Sequence, residues 1–584
     1  MRPLSISVIA FAALAHAAPG WASPRLRRIQ PRPVQAENAP VSVSSSGVFG
    51  DNSSFQSQLS DDGRFIVFDS FSDNLAGGDA NGFSDVFRRD LELGTTELVS
   101  QTAAGTGSGS GLSLEPDVSS DGQLIVWASQ ASDLVAGDNN GTWDVFLRNM
   151  ASGMTERLSN GAGAAASSGE APRISPDGRF VVFESDAAFV PTDVNGLRDV
   201  YRLDRQTGTF VLVSVTAAGV QGDGPSTQPD VSDDGSRVVF ASAAGNFAAG
   251  DQNGLRDVFV KDLITGTLEL VSRTSAGIPG NDESQLARIS GNGETIAFNS
   301  RAGDLVLPDA NGNYDVYALE LGTGILERLN VRPDGSQPFG FSRSRLGVSR
   351  DGQRVVFTSV SSDLVAGDTN GAQDVFLRDR AAGTTERFSL DPNGAELFED
   401  SFVPAMTDDA RVISFASDAG NVTPGNAFGE RQVYARVRFP GGGLGSTYCL
   451  SNPNSTGAVA TTRAEGSAAL LDNDLTLVAS SLPRLSFTFF ITSQTEGFAA
   501  NPGGSQGNIC LGGSVGRYVG PGQVQNSGVA GTISLDLDLA AIPQPLGPVA
   551  GVAGETWRFQ AWFRDSLAGQ PTSNFTNGYA VLLR

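Results

Sequence analysis

Residues Ser349 to Ser389 read SRDGQRVVFTSVSSDLVAGDTNGAQDVFLRDRAAGTTERFS. Ser-x-Asp-Gly is a tight turn whose glycine takes a positive φ. RVVFTS is a short apolar run of the kind buried on both faces of a sheet. DVFLR is a second such run, and the more polar TTERFS suits an outer edge. The same sentence begins again at Ser60, Ser119, Ser175, Ser232 and Ser290, and in weakened form at Thr407. Its glycine falls at 63, 122, 178, 235, 293 and 352, with Ala410 in the seventh copy. One structural unit of just under sixty residues has been copied.

The second copy predicts strand a at 115–119, b at 124–129, c at 144–148 and d at 155–159. Four antiparallel strands with tight a–b and c–d turns, repeated around a circle, form a propeller blade. The residue before each opening turn is apolar (Leu59, Val118, Ile174, Val231, Ile289, Val348, Met406), as an inner strand packed between blades requires. One position earlier, Asp117, Arg173, Asp230 and Arg288 alternate in charge and are placed to pair across blades near the axis. The seventh copy lacks strand d, whereas VSVSSSG at 41–47 resembles the strand-d exit VSVTAAG at 213–219. The expected fold is therefore all-β: a seven-bladed propeller over 39–439, closed by an N-terminal strand at about 41–44. A Gly-rich linker at 440–445 and a β-sandwich at 446–584 follow.

SPDGRFVVF at 175–183, with its D-V-Y and closing L-V-S, resembles the WD40-like repeat of TolB-type propellers, over about 41–439. The stretches NPGGSQGNICLGG, ETWRFQAWFRD and SNFTNG resemble an uncharacterised C-terminal domain of secreted bacterial proteins. That resemblance implies a compartment and no activity.

The b–c and d–a loops lie on one face, here called the crown, and are long. Six b–c loops carry D-x-N-G-x-x-D: Asp79/Asn81/Asp85, Asp138/Asn140/Asp144, Asp193/Asn195/Asp199, Asp251/Asn253/Asp257, Asp309/Asn311/Asp315 and Asp368/Asn370/Asp374. The seventh has Asn426, Phe428 and Gln432 instead. Two carboxylates and an amide oxygen are hard-cation ligands, which makes calcium the one cofactor to expect. The pattern resembles the calcium loops of integrin-type propellers but is two residues shorter. The other reading is conformational: Asp and Asn side chains satisfy loop amides and Gly makes the turn.

Inventory excludes much chemistry. His16 is the only histidine, in a segment (1–22) that reads as a secretory signal peptide, so the mature chain has no imidazole for a triad or a histidine metal site. Lys261 is the only lysine. Residues 23–38 read as a basic, Pro-rich linker. A formal charge of -24 argues against nucleic acid. No later run reaches transmembrane length. Cys449 and Cys510, the only cysteines, are expected to pair in an exported chain, the alternative being two buried thiols. Trp562 falls on the polar face of the strand 557–564, where an indole stacks on a sugar or is covered by a neighbouring loop.

The expected product is a secreted or periplasmic, monomeric, non-catalytic binding module for a protein or polysaccharide. The alternatives are a carboxylate-based glycan-active enzyme, the main acid–base chemistry this inventory leaves, and a structural cell-surface component.

Overall fold

The computed structural model describes residues 38–583 except 161–167, 252, 392–394, 424–428, 438–444, 450–453, 457–459, 467–469, 471–472, 503–504, 529–530 and 568–569. The signal peptide, the linker up to residue 37, Asn426 and Phe428 lie outside the described residues. The chain divides into two compact units, Val34–Ser446 and a unit that holds Thr447–Arg584.

The described residues of the first unit hold seven four-stranded antiparallel sheets. Blade two is Ser113–Val118, Leu124–Ser129, Asp144–Asn149 and Met154–Arg157, and the other copies repeat it. Two local devices explain why the repeat folds this way. At each a–b turn the opening Ser or Thr hydroxyl donates to the turn Asp or Asn and accepts the first amide of strand b, as in Ser175 Oγ to Asp177 at 2.6 Å and the Phe180 amide to Ser175 Oγ at 2.9 Å. The turn glycine is needed twice over at Gly122: its φ is +71°, and a Cβ there would lie 2.2 Å from Phe65 of the neighbouring blade. Between strands b and c, one aromatic pair stacks in every blade, with Phe68–Phe87 at 5.7 Å and Trp127–Phe146 at 5.8 Å between centroids.

The seventh blade, Ser401–Met406, Val412–Ser417 and Gln432–Val437, takes its fourth strand from Asn38–Pro40. Asn38, Ala39 and Pro40 face Arg436, Ala435 and Tyr434. The closing strand therefore lies a few residues before the expected 41–44, and Asn38 belongs to it rather than to the linker. The cause is visible in the matching segments. VSV at 41–43 and at 213–215 are both the exit after strand d, each ending in an isolated bridge, Val43 to Phe49 and Val215 to Gln221. The strand itself precedes the exit, at Thr209–Leu212 in blade three and Asn38–Pro40 here. First and seventh blades share a core of Val41, Leu59, Ile66, Val412 and Val433, and Ser57 and Ser414 hydroxyls meet at 2.8 Å.

In the second unit one sheet orders Gly445–Cys449, Gly578–Leu582, Thr556–Leu567, Phe487–Ser493 and Gly516–Arg517, with Gln525–Asn526 and Gln570–Phe575 attached. A second sheet orders Thr461–Gly466, Leu475–Ser480 and Ile533–Leu537. Trp557, Phe559, Ala561 and Phe563 point from the long strand into the core. Cys449 and Cys510 are joined in a disulfide, with Cα atoms 6.2 Å apart.

Candidate functional site

The crown loops resolve into a clip and a carboxylate pair. The clip is the asparagine. In blade one Asn81 Oδ1 accepts the Phe83 amide at 2.7 Å, and its Nδ2 donates to Gly109 O at 2.7 Å. Asn253 repeats both contacts with Leu255 and Gly280, and Asn370 with Ala372 and Leu397. Asn140, Asn195 and Asn311 likewise accept the amide two residues on. The amide oxygen expected as a metal ligand is thus spent on its own loop.

The last Asp of each motif opens strand c and is fully buried. It accepts from the polar residue two past the end of strand d, as Asp257 does from Ser272 at 2.6 Å, while that Ser accepts the Val258 amide at 2.9 Å. Asp85–Ser100, Asp144–Ser159, Asp199–Ser214, Asp315–Asn330 and Asp374–Ser389 repeat it. In blade seven Gln432 stands for the Asp, and the partner is Ser42 from the closing segment, at 2.6 Å.

What faces the carboxylate pair differs between blades. Arg157 Nη1 lies 2.9 Å from Asp138 and 3.4 Å from Asp144. Arg328 bridges Asp309 and Asp315 at 3.0 and 3.2 Å. Arg387 Nη1 lies 3.4 Å from Asp368, 3.4 Å from Asp374 and 2.8 Å from Glu396. Asp368, Asp374 and Glu396 are close enough together to ligate one ion, and the Arg387 guanidinium lies against all three. In blade three, Asp193 takes the Tyr201 hydroxyl and Gln221 Nε2. Burial pushes Asp257 up to about 7, Asp85 to about 8 and Asp374 to about 6.

A second site lies on the axis. Glu115, Ala171, Gln228 and Leu286 hold positive φ of 58°, 48°, 58° and 53°, at bulges in the inner strands of four successive blades. Such backbone costs about 1–3 kcal/mol per residue and gathers at functional sites. With Glu170, Arg173, Glu184, Arg288 and Arg345 they line a cavity of about 180 Å³. Glu170 pairs with Glu184, next to the end of strand b, which places the cavity at the crown end of the channel. Arg345 forms an ion pair with Glu115, joining blade six to blade two. Burial, and then the facing Arg173, pull Arg288 down to about 9. Burial opposes the Glu115 charge, yet Arg345 and Arg173 hold its pKa below the ordinary value.

The expected charge pairing across blades takes another form. Asp117 accepts the Ile174 amide and Asp230 the Ile289 amide, each at 2.9 Å, because the bulges leave inner-strand amides facing the preceding blade. Arg173 and Arg288 instead donate to the carbonyls of Pro172 and Ala287. Sequence reasoning missed Arg345. The signal was there: SRSRLGVS at 342–349 departs from the pattern of SLEPDVS and STQPDVS, and the inner strand of blade six shrinks to Gly347–Val348.

Trp562 is half-buried, its ring 5.0 Å from Phe489 in a cluster with Ile491, Leu511 and Phe575. The ring against it belongs to its cross-strand partner and not to a loop. Among the described residues no helix is long and apolar enough to cross a membrane.

These sheets and their order are those of a β-propeller. No family model and no curated protein matches the sequence. Solved structures similar to it include TolB from Acinetobacter baumannii, at 16% identity and TM-score 0.30, covering 52% of this chain and 58% of that one. An oligogalacturonate lyase in complex with manganese is similar at 14% identity and TM-score 0.41, covering 69% of this chain and 98% of its own. The WD40 repeats of RRP9 are similar at 10% identity and TM-score 0.40, covering 70% and 99%. At such identities and TM-scores nothing of those proteins' activities passes to this chain.

Proposed function

We propose that the chain is an exported, non-catalytic binding module whose crown engages a protein or polysaccharide around the axial cavity. One observation carries this reading: the crown loops hold large apolar side chains out to solvent. Val194 is 82% exposed, Leu307 75%, Phe339 80% and Phe398 75%. The c–d turns of the other face also expose Leu93, Met154, Ile264 and Ile325, and the crown adds the axial cavity to its own apolar groups. Arg345 and Arg288 at the centre supply cationic donors for an anionic group of the ligand. Export is supported by the Cys449–Cys510 disulfide.

The test is a protein and polysaccharide binding array probed with the full chain and with the variants Phe339→Ala, Phe398→Ala and Arg345→Ala. A ligand whose affinity falls at least tenfold in each variant is expected. A ligand bound equally by all of them, or none bound, refutes a crown site.

A further inference from the structure

Six of the seven b–c loops carry two carboxylates, and most of those blades bring their own donor to them. The last residue of strand d, two before the Ser or Asn that serves the buried Asp, decides this. It is Arg157, Arg328 and Arg387 in blades two, five and six, and Leu98, Leu212 and Leu270 in blades one, three and four. Blade three serves Asp193 with the Tyr201 hydroxyl and Gln221, while Oδ2 of Asp199 has no donor. Blades one and four have Phe87 and Phe259 where that tyrosine stands, and blade four has Pro279 where the glutamine stands.

The consequence is a set of oxygens without donors. Asp251 is 9% exposed, and neither of its carboxylate oxygens accepts a hydrogen bond; the same is true of Oδ2 of the wholly buried Asp257. In blade one Asp79 is 7% exposed; Ser108 and the Asn81 amide face it, but neither carboxylate oxygen accepts a hydrogen bond of normal geometry. Buried carboxylates in such a state are rare, because each loses hydration with nothing in exchange. The sister blades show what fits. One guanidinium reaches both carboxylates of Asp138/Asp144 and of Asp309/Asp315, so the motif spaces its acids to share a single cation.

We infer that Asp251 with Asp257, and Asp79 with Asp85, each bind a hard divalent cation where the other blades use arginine. Oxygen-only ligation by two carboxylates suits calcium or magnesium rather than a softer metal. The role is structural and stands apart from the axial cavity. It turns calcium from an expectation for six loops into an assignment to two.

The test uses the full chain, stripped with chelator and titrated with calcium chloride, with ions counted by native mass spectrometry and melting followed in parallel. Two ions per chain and a higher melting temperature are expected. Leu270→Arg and Leu98→Arg install the missing guanidinium. Each should remove one ion, and the double variant both, with the metal-free melting temperature rising above that of the parent. Should an arginine variant fail to fold, Asp251→Asn and Asp79→Asn, which keep the side-chain shape, should each remove one ion. No calcium bound at millimolar concentration overturns the inference. So does a count that these substitutions leave unchanged, which would place the metal elsewhere.

Discussion

Replacing Ser42 with alanine tests how the ring is shut. Ser42 is wholly buried, and its Oγ donates to Gln432 Oε1 at 2.6 Å and accepts the Val433 amide at 2.9 Å. Alanine leaves that oxygen of the wholly buried Gln432 and that amide without these partners. Stranding a buried polar group costs about 1–3 kcal/mol, so the substitution should cost about 2–4 kcal/mol. Ser159→Ala is the matched control. Its hydroxyl serves Asp144 and the Val145 amide in the same way, but inside a blade built from consecutive strands. Urea unfolding followed by tryptophan fluorescence reads both, as a shift in midpoint at constant slope. Similar losses are expected for the two variants. A normal loss for Ser159→Ala beside an unchanged Ser42→Ala would refute closure by the N-terminal segment. Deleting residues 38–43 should destabilise the propeller further, since it also exposes the edge of Gln432–Val437.

Three more outcomes can be checked. Glu115→Gln strands Arg345 and should cost about 1–3 kcal/mol in the same melts, with part of the loss recovered in the Glu115→Gln/Arg345→Met double variant. Asp69 and Asp408 are pushed from 3.8 up to about 7 by burial, so the native state keeps protons that the unfolded chain releases. Their contribution is complete below about pH 4 and is lost as pH rises through about 7, at no more than about 1.4 kcal/mol per pH unit for each group. Metal-free protein should therefore unfold more easily at pH 8 than at pH 5, and Asp408→Asn should flatten that slope. Reducing the disulfide, whose cysteines are 61 residues apart, should cost the C-terminal unit about 4 kcal/mol and leave the propeller transition in place. A single transition that moves as a whole would refute independent unfolding of the two units.

Much of the propeller was legible because each blade is fixed by local rules. The turn at Ser119–Gly122, the run Leu124–Ser129 and the start of strand c at Asp144 lie where the sequence puts them. Even the weakened copy keeps its turn, with Ala410 taking a φ of 55° where the others have glycine. The closing strand was misplaced slightly because its exit, not the strand, carries the recognisable residues. The Asn clip was one of two readings of the motif, because a side-chain amide looks the same to a metal and to a loop N–H. The alternation of Arg157, Arg328 and Arg387 with Leu98, Leu212 and Leu270 was present in the sequence. It acquires meaning only once strand d is seen to bend its side chain over the b–c loop of its own blade. Arg345 reaches Glu115 across the ring, and no local pattern encodes that.

The Ser42–Gln432 contact joins residues 390 apart in the chain. During synthesis the segment that completes the last blade emerges first and its partner last, so a nascent chain holds six finished blades and two unpaired edges at once. Long-range pairing of this kind is slow, and exposed edges recruit other strands. A chain interrupted before Gln432 keeps both edges for good. Such fragments should add to one another edge to edge, and a complete chain escapes that fate only at its final strand.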